Sequence, residues 1–255
     1  MISIICVFND KQILESCLIA SLVGQTAVHE VILLDNQKGR YVSAASALNE
    51  GARKAQGDLL VFCHQDIKFL RPDALDTIAR FISLLGDTVV VGPAGKSSIP
   101  PYGTYTNMHH GIVYDRPAGD YPIQSYQEVD TLDECLFAMR REVFDVLQFD
   151  EVVCNGWHLY VVDYCLGVHT QLNSKVYAVD IPVHHASEGS SMNASYFRIL
   201  RNLGGKYAGT YAKVYTTMGD YSFSCIAYDQ CKYTVKCVLK WLYFKVTGKR
   251  LTKWN

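Results

Sequence analysis

The chain has 255 residues, 49% of them hydrophobic, and a formal net charge of −1. That length and apolar content support a full core and exclude a disordered protein, and the near-neutral charge gives no global signal for nucleic-acid binding. Nine cysteines without a C-x-x-C pair argue against a disulfide framework and a structural zinc site, and point to reduced thiols in the cytoplasm.

In chain order, Ile2–Phe8 reads as a buried strand and Asn9-Asp10 as a helix-capping turn. The N-terminus has no basic segment of a signal peptide, and no stretch is long and uncharged enough for a transmembrane helix. Ile13, Leu14, Cys17, Leu18 and Leu22 recur at helical spacing, and Val31–Leu34 is a second apolar run, ended by Asp35-Asn36. Ser43 to Ala55 is Ala-rich and suits a helix. A third strand follows Gly57-Asp58 and closes on His64-Gln65-Asp66. A helix begins near Pro72 and covers Leu75–Leu85, followed by Val89-Val90-Val91. Strands and helices alternating at this spacing predict βαβ units and a parallel sheet with both faces covered. Ligands of such sheets sit beyond the carboxyl ends of the strands, where Asp66 falls.

Residues 96 to about 129 break the pattern and read as an active-site loop or excursion hairpin. Cys135–Met139 reads as a strand, Arg141–Leu147 as a helix, about Trp157 to Leu172 as a helix, and Lys175–Ile181 as a strand ending in Pro182-Val183-His184-His185. The last part reads as helical, roughly over Asn193–Tyr215 and Lys232–Val246. Lys232 to Asn255 carries six Lys and one Arg with no acidic residue, leaving 17 basic and 25 acidic groups on the rest of the chain. Val235, Val238, Leu239, Leu242 and Val246 share one stripe of this last helix, with Trp241, Tyr243 and Phe244 beside it. The stripe suits an anionic membrane surface, or docking on the domain or on a second subunit of a homodimer.

Several pieces resemble the family 2 inverting glycosyltransferases in order and spacing. They are Ser3-Ile4-Ile5 with Asn9, Ser21-Leu22 with Gln25, Val31 to Asn36, Ala47 to Ala52 with Ala55-x-Gly57-Asp58, and His64-Gln65-Asp66. The His-Gln-Asp form looks most like a bacterial subgroup of sugar transferases. The resemblance implies the GT-A nucleotide-diphospho-sugar transferase fold: an α/β domain with a mostly parallel central sheet over residues 1–190. Residues 1–95 would form its nucleotide-sugar half and 96–190 its acceptor half, with a helical extension over 191–255.

The resemblance also implies site roles. Asn9 and Gln65 belong to the donor site. Asp35 would receive the nucleobase, although a turn-forming Asp explains it as well. Asp66 matches the last Asp of the Asp-x-Asp element and would hold Mn²⁺ or Mg²⁺ on the diphosphate. His64 stands where the first Asp is usual and would touch ribose or phosphate, or be a satisfied strand-end histidine. Asp163 takes the position of the base, with Val162 replacing the usual neighbouring acid; the other reading of Asp163 is a cap or bridge to a basic residue. His185, with Ser187 and Gly189 following it, is the first choice for a further metal ligand and His184 the second. Adjacent residues on a strand face opposite ways, so one of the two serves.

Other residues carry a structural reading alongside the functional one. Trp157 and Tyr160 would stack on a sugar or fill the core. Asp133-Glu134 would line an acceptor pocket or stand solvated in a loop. Arg140-Arg141 would face the diphosphate or the solvent, and Arg53 or Lys54 could reach a phosphate. Ala47, Asn49, Gly51 and Ala55 read best as close packing.

The function so implied is metal-dependent, inverting transfer of a sugar to a hydroxyl. The donor would be a UDP-sugar first, a dTDP- or GDP-sugar otherwise, and the acceptor a glycan or lipid-linked saccharide in cell-surface polysaccharide assembly. The expected setting is the cytoplasm or the inner membrane face, with no nucleic-acid partner. A non-catalytic sugar-nucleotide-binding relative and another metal-dependent nucleotide transferase are the competing classes. A dinucleotide-binding dehydrogenase is disfavoured, because no G-x-G-x-x-G follows the first strand.

Overall fold

The computed structural model describes residues 1–113, 115–187 and 192–247. Its first half runs β1 (Ile2–Phe8), α1 (Lys11–Leu14), β2 (His29–Asp35), α2 (Ala44–Lys54), β3 (Leu59–His64), β4 (Ile67–Phe69), α3 (Ala74–Leu85) and β5 (Val90–Gly92). The second half holds β6 (Leu136–Arg140), α4 (Arg141–Val146), α5 (Tyr160–Gln171), β7 (Val176–Val179), β8 (Val183–His185), α6 (Ala194–Tyr207) and α7 (Ile226–Thr247). Helix α1 continues as a π-turn, Glu15–Ile19, and a last turn, Ala20–Leu22.

Seven strands form the central sheet in the order Tyr126–Val129, β7, β5, β6, β3, β1, β2. β1 is parallel to both β2 and β3, and Phe8 pairs with Asp35 while Val7 pairs with His64. The three strands therefore end at one edge. β6 enters antiparallel between β3 and β5 and pairs Leu136 with Cys63. Its first residues, preceded by Asp133-Glu134, thus begin at the same edge. That arrangement brings the start of one strand to the edge where three others end.

Both sheet faces are covered, as the continuous apolar runs require. Ile5, Leu60 and Phe62 pack under α2 and α5, while Ile4, Cys6 and Val61 pack under α1 and α3. Gly57 enters β3 where a Cβ would stand 2.6 Å from Met1 O and 2.7 Å from Ser3 Oγ. Gly51 lies where a Cβ would meet Ile5 at 2.5 Å. Close packing accounts for both. Asn49 is likewise structural, donating to Phe149 O at 3.0 Å and accepting from Phe149 N at 3.0 Å.

Two segments differ from expectation, and a third, from residue 96, matches it. The helix expected from Trp157 starts at Tyr160, because Leu159 takes a left-handed φ of 61°. The helix expected over Asn193–Tyr215 stops at Tyr207, and Lys213–Thr216 pairs with Gly219–Ser222 as a hairpin turning at Gly219 (φ 151°). β-branched Val214, Thr216 and Thr217 suit that hairpin better than a helix. The stretch from residue 96 is an excursion: Ala94–Ser97 pairs with Gly103–Thr106, and His109–His110 pairs with β8 before Tyr126–Val129 rejoins the main sheet.

Candidate active site

At the sheet edge, Gln65 clamps the loop after β3 to the loop after β1. Its Oε1 accepts from the amides of Asn9 and Asp10, both at 3.0 Å, and its Nε2 donates to Asn9 Oδ1 at 2.8 Å. Asp10 then caps α1 by accepting from the Gln12 and Ile13 amides. Asn9 is held facing the cleft.

β8 pairs antiparallel with β4 and sets His185 opposite Ile67, next to Asp66. One ligand atom each from His64, Asp66 and His185 lies within 4.8 Å of the others. Bonds of about 2.0–2.3 Å to a central ion span that separation. His185 Nε2 stands 3.3 Å from Asp66 Oδ1, yet is buried without hydrogen-bond geometry to any described residue. A buried nitrogen so placed fits a metal ligand. Burial lowers the His64 imidazole, helped by His185 beside it. Burial works against the His185 cation too, but Asp66 and Asp133 outweigh it and raise its pKa. Asp66 is depressed, its burial overcome by the two imidazoles. Asp133, Cys135 and His185 form a second close set. Burial and Asp133 push the Cys135 thiol far up, so it is a poor source of thiolate.

Glu134, read from sequence as lining an acceptor pocket or standing solvated in a loop, is half-buried at the N-terminus of α5. Its Oε1 accepts from the Tyr160 amide at 3.1 Å. Burial, and then Asp133, push its carboxyl up to about 8, against the pull of the helix amides. Asp133 accepts from Thr217 Oγ1 at 2.7 Å and from the Cys135 amide at 3.0 Å. Burial would raise Asp133, but His185 and these donors hold it below the usual range. The Tyr160 hydroxyl lies 3.1 Å from His64 Nε2 and donates to Glu134 O at 3.3 Å.

Two cavities meet here. The first, about 360 Å³, is lined by Asn9, Asn36, Leu48, Gln65, Trp157 and Tyr160, among others. The second, about 430 Å³, is lined by His110, Asp133, His158, Met192, Tyr196 and Thr217, among others. His64, Asp66 and Glu134 line both. The segment expected as a helical extension therefore supplies part of the second wall.

Other expected site residues lie elsewhere. Asp163 lines neither cavity: it is 3% exposed, and its Oδ1 accepts from Lys206 Nζ at 2.8 Å. Lys206 also reaches Asp150 at 2.9 Å, and the two carboxylates raise its pKa against burial. The side chain of Asp163 faces α6 instead of the cleft, so the bridging reading describes it. Asp35 sits at the correct strand end, but its carboxylate turns back on Gln37, and Asn36 lines the cavity instead. Arg141 donates twice to Gly57 O and Arg140 pairs with Asp87, so neither faces the cleft. Arg53 reaches Gln148, and Lys54 pairs with Glu50. His184 faces Asp115 at 3.5 Å, on the strand face opposite His185. Ser187 lines the second cavity, and Gly189 lies outside the described residues.

A parallel βαβ half with an antiparallel insertion defines the GT-A fold, shared with solved glycosyltransferases, and a His-Asp-His cluster at the strand ends could hold a divalent ion. The sequence profile of the "Glycosyltransferase like family" matches residues 3–198. The chain belongs to that family. A structure of GalNAc-T7 with UDP, GalNAc and Mn²⁺ aligns at a TM-score of 0.59 and 14% identity, covering 80% of this chain and 47% of that one. The mannosyltransferase PcManGT of Pyrobaculum calidifontis, with GDP-Man and Mn²⁺, aligns at 0.52 and 14% identity, covering 82% and 63%. The chain thus spans less than two thirds of either, and the likeness is one of fold. A protein of Fuscovulum blasticum, "ATP synthase subunits region ORF 6", is 26% identical over 185 residues, 70% of this chain and 71% of that protein.

Proposed function

We propose that the protein transfers a sugar from a nucleotide-sugar to an acceptor hydroxyl with inversion, the donor in the first cavity and the acceptor in the second. The observation that carries this reading is the shared wall: His64, Asp66 and Glu134 line both cavities. Only there can a group serve both substrates at once.

His64, Asp66 and His185 would hold the divalent ion, whose chemistry is to stabilise charge on the departing diphosphate. With the Tyr160 proton on Glu134 O, His64 Nε2 would carry its own proton and Nδ1 would keep a lone pair for the ion. Asn9, held by Gln65, contributes to the donor side. Asn36 takes over the cavity position expected of Asp35.

Glu134 takes the role expected of Asp163. Its carboxylate accepts the acceptor hydroxyl proton as that oxygen forms a bond to the sugar C1. The C1–phosphate oxygen bond breaks on the opposite face, and its electron pair leaves with the nucleoside diphosphate. A pKa near 8 suits a base that takes a proton near neutral pH. The donor is a UDP-sugar first, with dTDP- and GDP-sugars as the alternatives. The UDP and GDP-Man of the fold relatives support that order of trial. The acceptor class is a glycan or lipid-linked saccharide of surface polysaccharide assembly.

A thermal-shift screen of UDP-, GDP- and dTDP-sugars, with and without Mn²⁺ or Mg²⁺, tests the reading. One nucleotide should raise Tm only with metal, and Asp66→Ala should abolish the rise. A flat response to every donor would instead favour a non-catalytic relative.

A further inference from the structure

Helix α7 is anchored at one end and bare along the rest. Ile226 is buried in the core, Tyr233 donates to Met192 O at 2.9 Å, and Gln230 accepts from Arg201. From Thr234 to Thr247 every residue is exposed except the half-buried Lys240. That bare stretch extends about 20 Å at 1.5 Å per residue. It carries Val235, Val238, Leu239, Trp241, Leu242, Tyr243, Phe244 and Val246, all among the exposed large hydrophobics.

The aliphatic residues of the bare stretch are sorted onto one face, while Phe244 falls on the anchored side. At about 100° per residue, Val235, Val238, Leu239, Leu242 and Val246 fall within an arc of about 100°. The anchoring residues Ile226, Gln230 and Tyr233 fall within about 60° on roughly the opposite side. The apolar stripe therefore points away from the domain it belongs to. Lys232 borders the stripe on one edge and Lys245 on the other, with Lys236 and Lys240 beyond Lys232. No acidic residue occurs on the helix after Asp229. A bare apolar patch of this size on a soluble domain marks a contact surface.

We propose that α7 lies in the headgroup plane of an anionic lipid surface, its Val235/Val238/Leu239/Leu242/Val246 stripe buried between acyl chains and its lysines on lipid phosphates. Charge decides between this occupant and a second copy of the chain. A twofold interface on this stripe brings the lysines of both helices together, with no carboxylate on the bare stretch to pair them. An anionic surface pairs them all at once. The helix lies on the membrane and does not cross it, since no described helix is long and apolar enough for a span. Tyr233 holds Met192 in the wall of the second cavity, so docking brings that cavity close to the lipid surface. This surface stands on α7 alone and does not depend on the transferase reading.

Co-sedimentation of the full chain tests it, using vesicles of phosphatidylcholine alone or of equal parts phosphatidylcholine and phosphatidylglycerol. We expect binding to the anionic vesicles only, weakened about fivefold by each Lys→Gln at 232, 236, 240 or 245 and by added salt. Val238→Glu with Leu242→Glu should abolish binding while leaving Tm and any donor-induced Tm rise unchanged. Absence of vesicle binding, or equal binding to neutral vesicles, overturns the proposal. So does a dimer in light scattering that the two Glu substitutions dissolve, because a second copy then covers the stripe.

Discussion

His185 Nε2 stands 3.3 Å from Asp66 Oδ1, although nearly half the chain separates the two residues. The antiparallel pairing of β8 with β4 closes that distance, and the parallel ends of β1 and β3 supply the rest of the edge. An Asp alone at a strand end is a turn residue as often as a ligand. An Asp with two imidazoles converging on it fits an ion site.

The donor set of that site predicts its ion. Two imidazoles and one carboxylate favour Mn²⁺, Co²⁺ or Zn²⁺ over Mg²⁺, which prefers an all-oxygen shell. Saturating Mn²⁺ or Co²⁺, at about a hundredfold over Kd, should raise Tm by roughly 5–10 °C, and Mg²⁺ by much less. His64→Asp should restore a Mg²⁺ response by returning a carboxylate to the cluster. Equal shifts with Mg²⁺ and Mn²⁺ in the unaltered protein would remove His64 from the metal shell.

Glu134→Gln should lower turnover by about 10²–10⁴-fold while donor binding, read by thermal shift, is kept. In the unaltered protein the rate should rise with pH as the carboxyl gives up its proton, with a midpoint at or below about 8, because a divalent cation in the site favours the carboxylate. Stability runs the other way. The folded pKa lies above the ordinary 4.5, so the folded state holds this proton more tightly than the unfolded chain does. Its contribution is complete below about pH 4.5 and is lost as pH climbs through about 8. Chemical denaturation across this range should therefore show a decline that Glu134→Gln flattens. A rate independent of pH between 6 and 9 would take the base role from Glu134.

Much of the nucleotide half is legible in the sequence. Continuous apolar runs at Ile4–Phe8 and Leu59–Cys63 announce strands covered on both faces, and Gly51 and Gly57 mark close approaches of backbone and side chain. The pocket position of Glu134 is legible as one of two readings, but the base role proposed for it is not. Two acids before a short strand look solvated until β6 is known to run antiparallel beside β3, and that pairing is a long-range event. The signal within reach was Leu136–Met139, apolar without alternation, which makes β6 a central strand and the residues before it a sheet edge. The hairpin around Gly219 escaped for a related reason. Its strands are short, and Thr217 finds its place through a bond to Asp133 far back in the chain.

Gln65 contributes by holding, not by touching the reacting atoms. Its three hydrogen bonds tie Asn9 and Asp10 to the end of β3. Gln65→Ala removes all three in an exposed setting, worth about 1 kcal/mol each at most. Donor Kd should rise by roughly tenfold as Asn9 loosens, while the Tm shift from metal alone stays the same. Loss of both together would mean that Gln65 shapes the metal cluster instead of the donor loop.

Asp163→Asn separates the two roles that an acid on α5 can have. Asp163 pairs with Lys206 at 2.8 Å, and Lys206 keeps Asp150 at 2.9 Å when the first partner is gone. The ammonium is therefore not orphaned, and the substitution should cost about 2–3 kcal/mol, below the usual loss for breaking a buried pair. Lys206→Met strips the cation from a carboxylate that is only 4% exposed, and should cost about 3–5 kcal/mol. In both variants turnover per folded molecule should stay within about tenfold, because Asp163 faces α6 and lines neither cavity. Urea denaturation gives the stabilities, and donor hydrolysis at a temperature well below either midpoint gives the rates. A hundredfold loss of rate in Asp163→Asn with unchanged stability would return the base to Asp163, and would require α5 to turn that carboxylate into the cleft during the reaction.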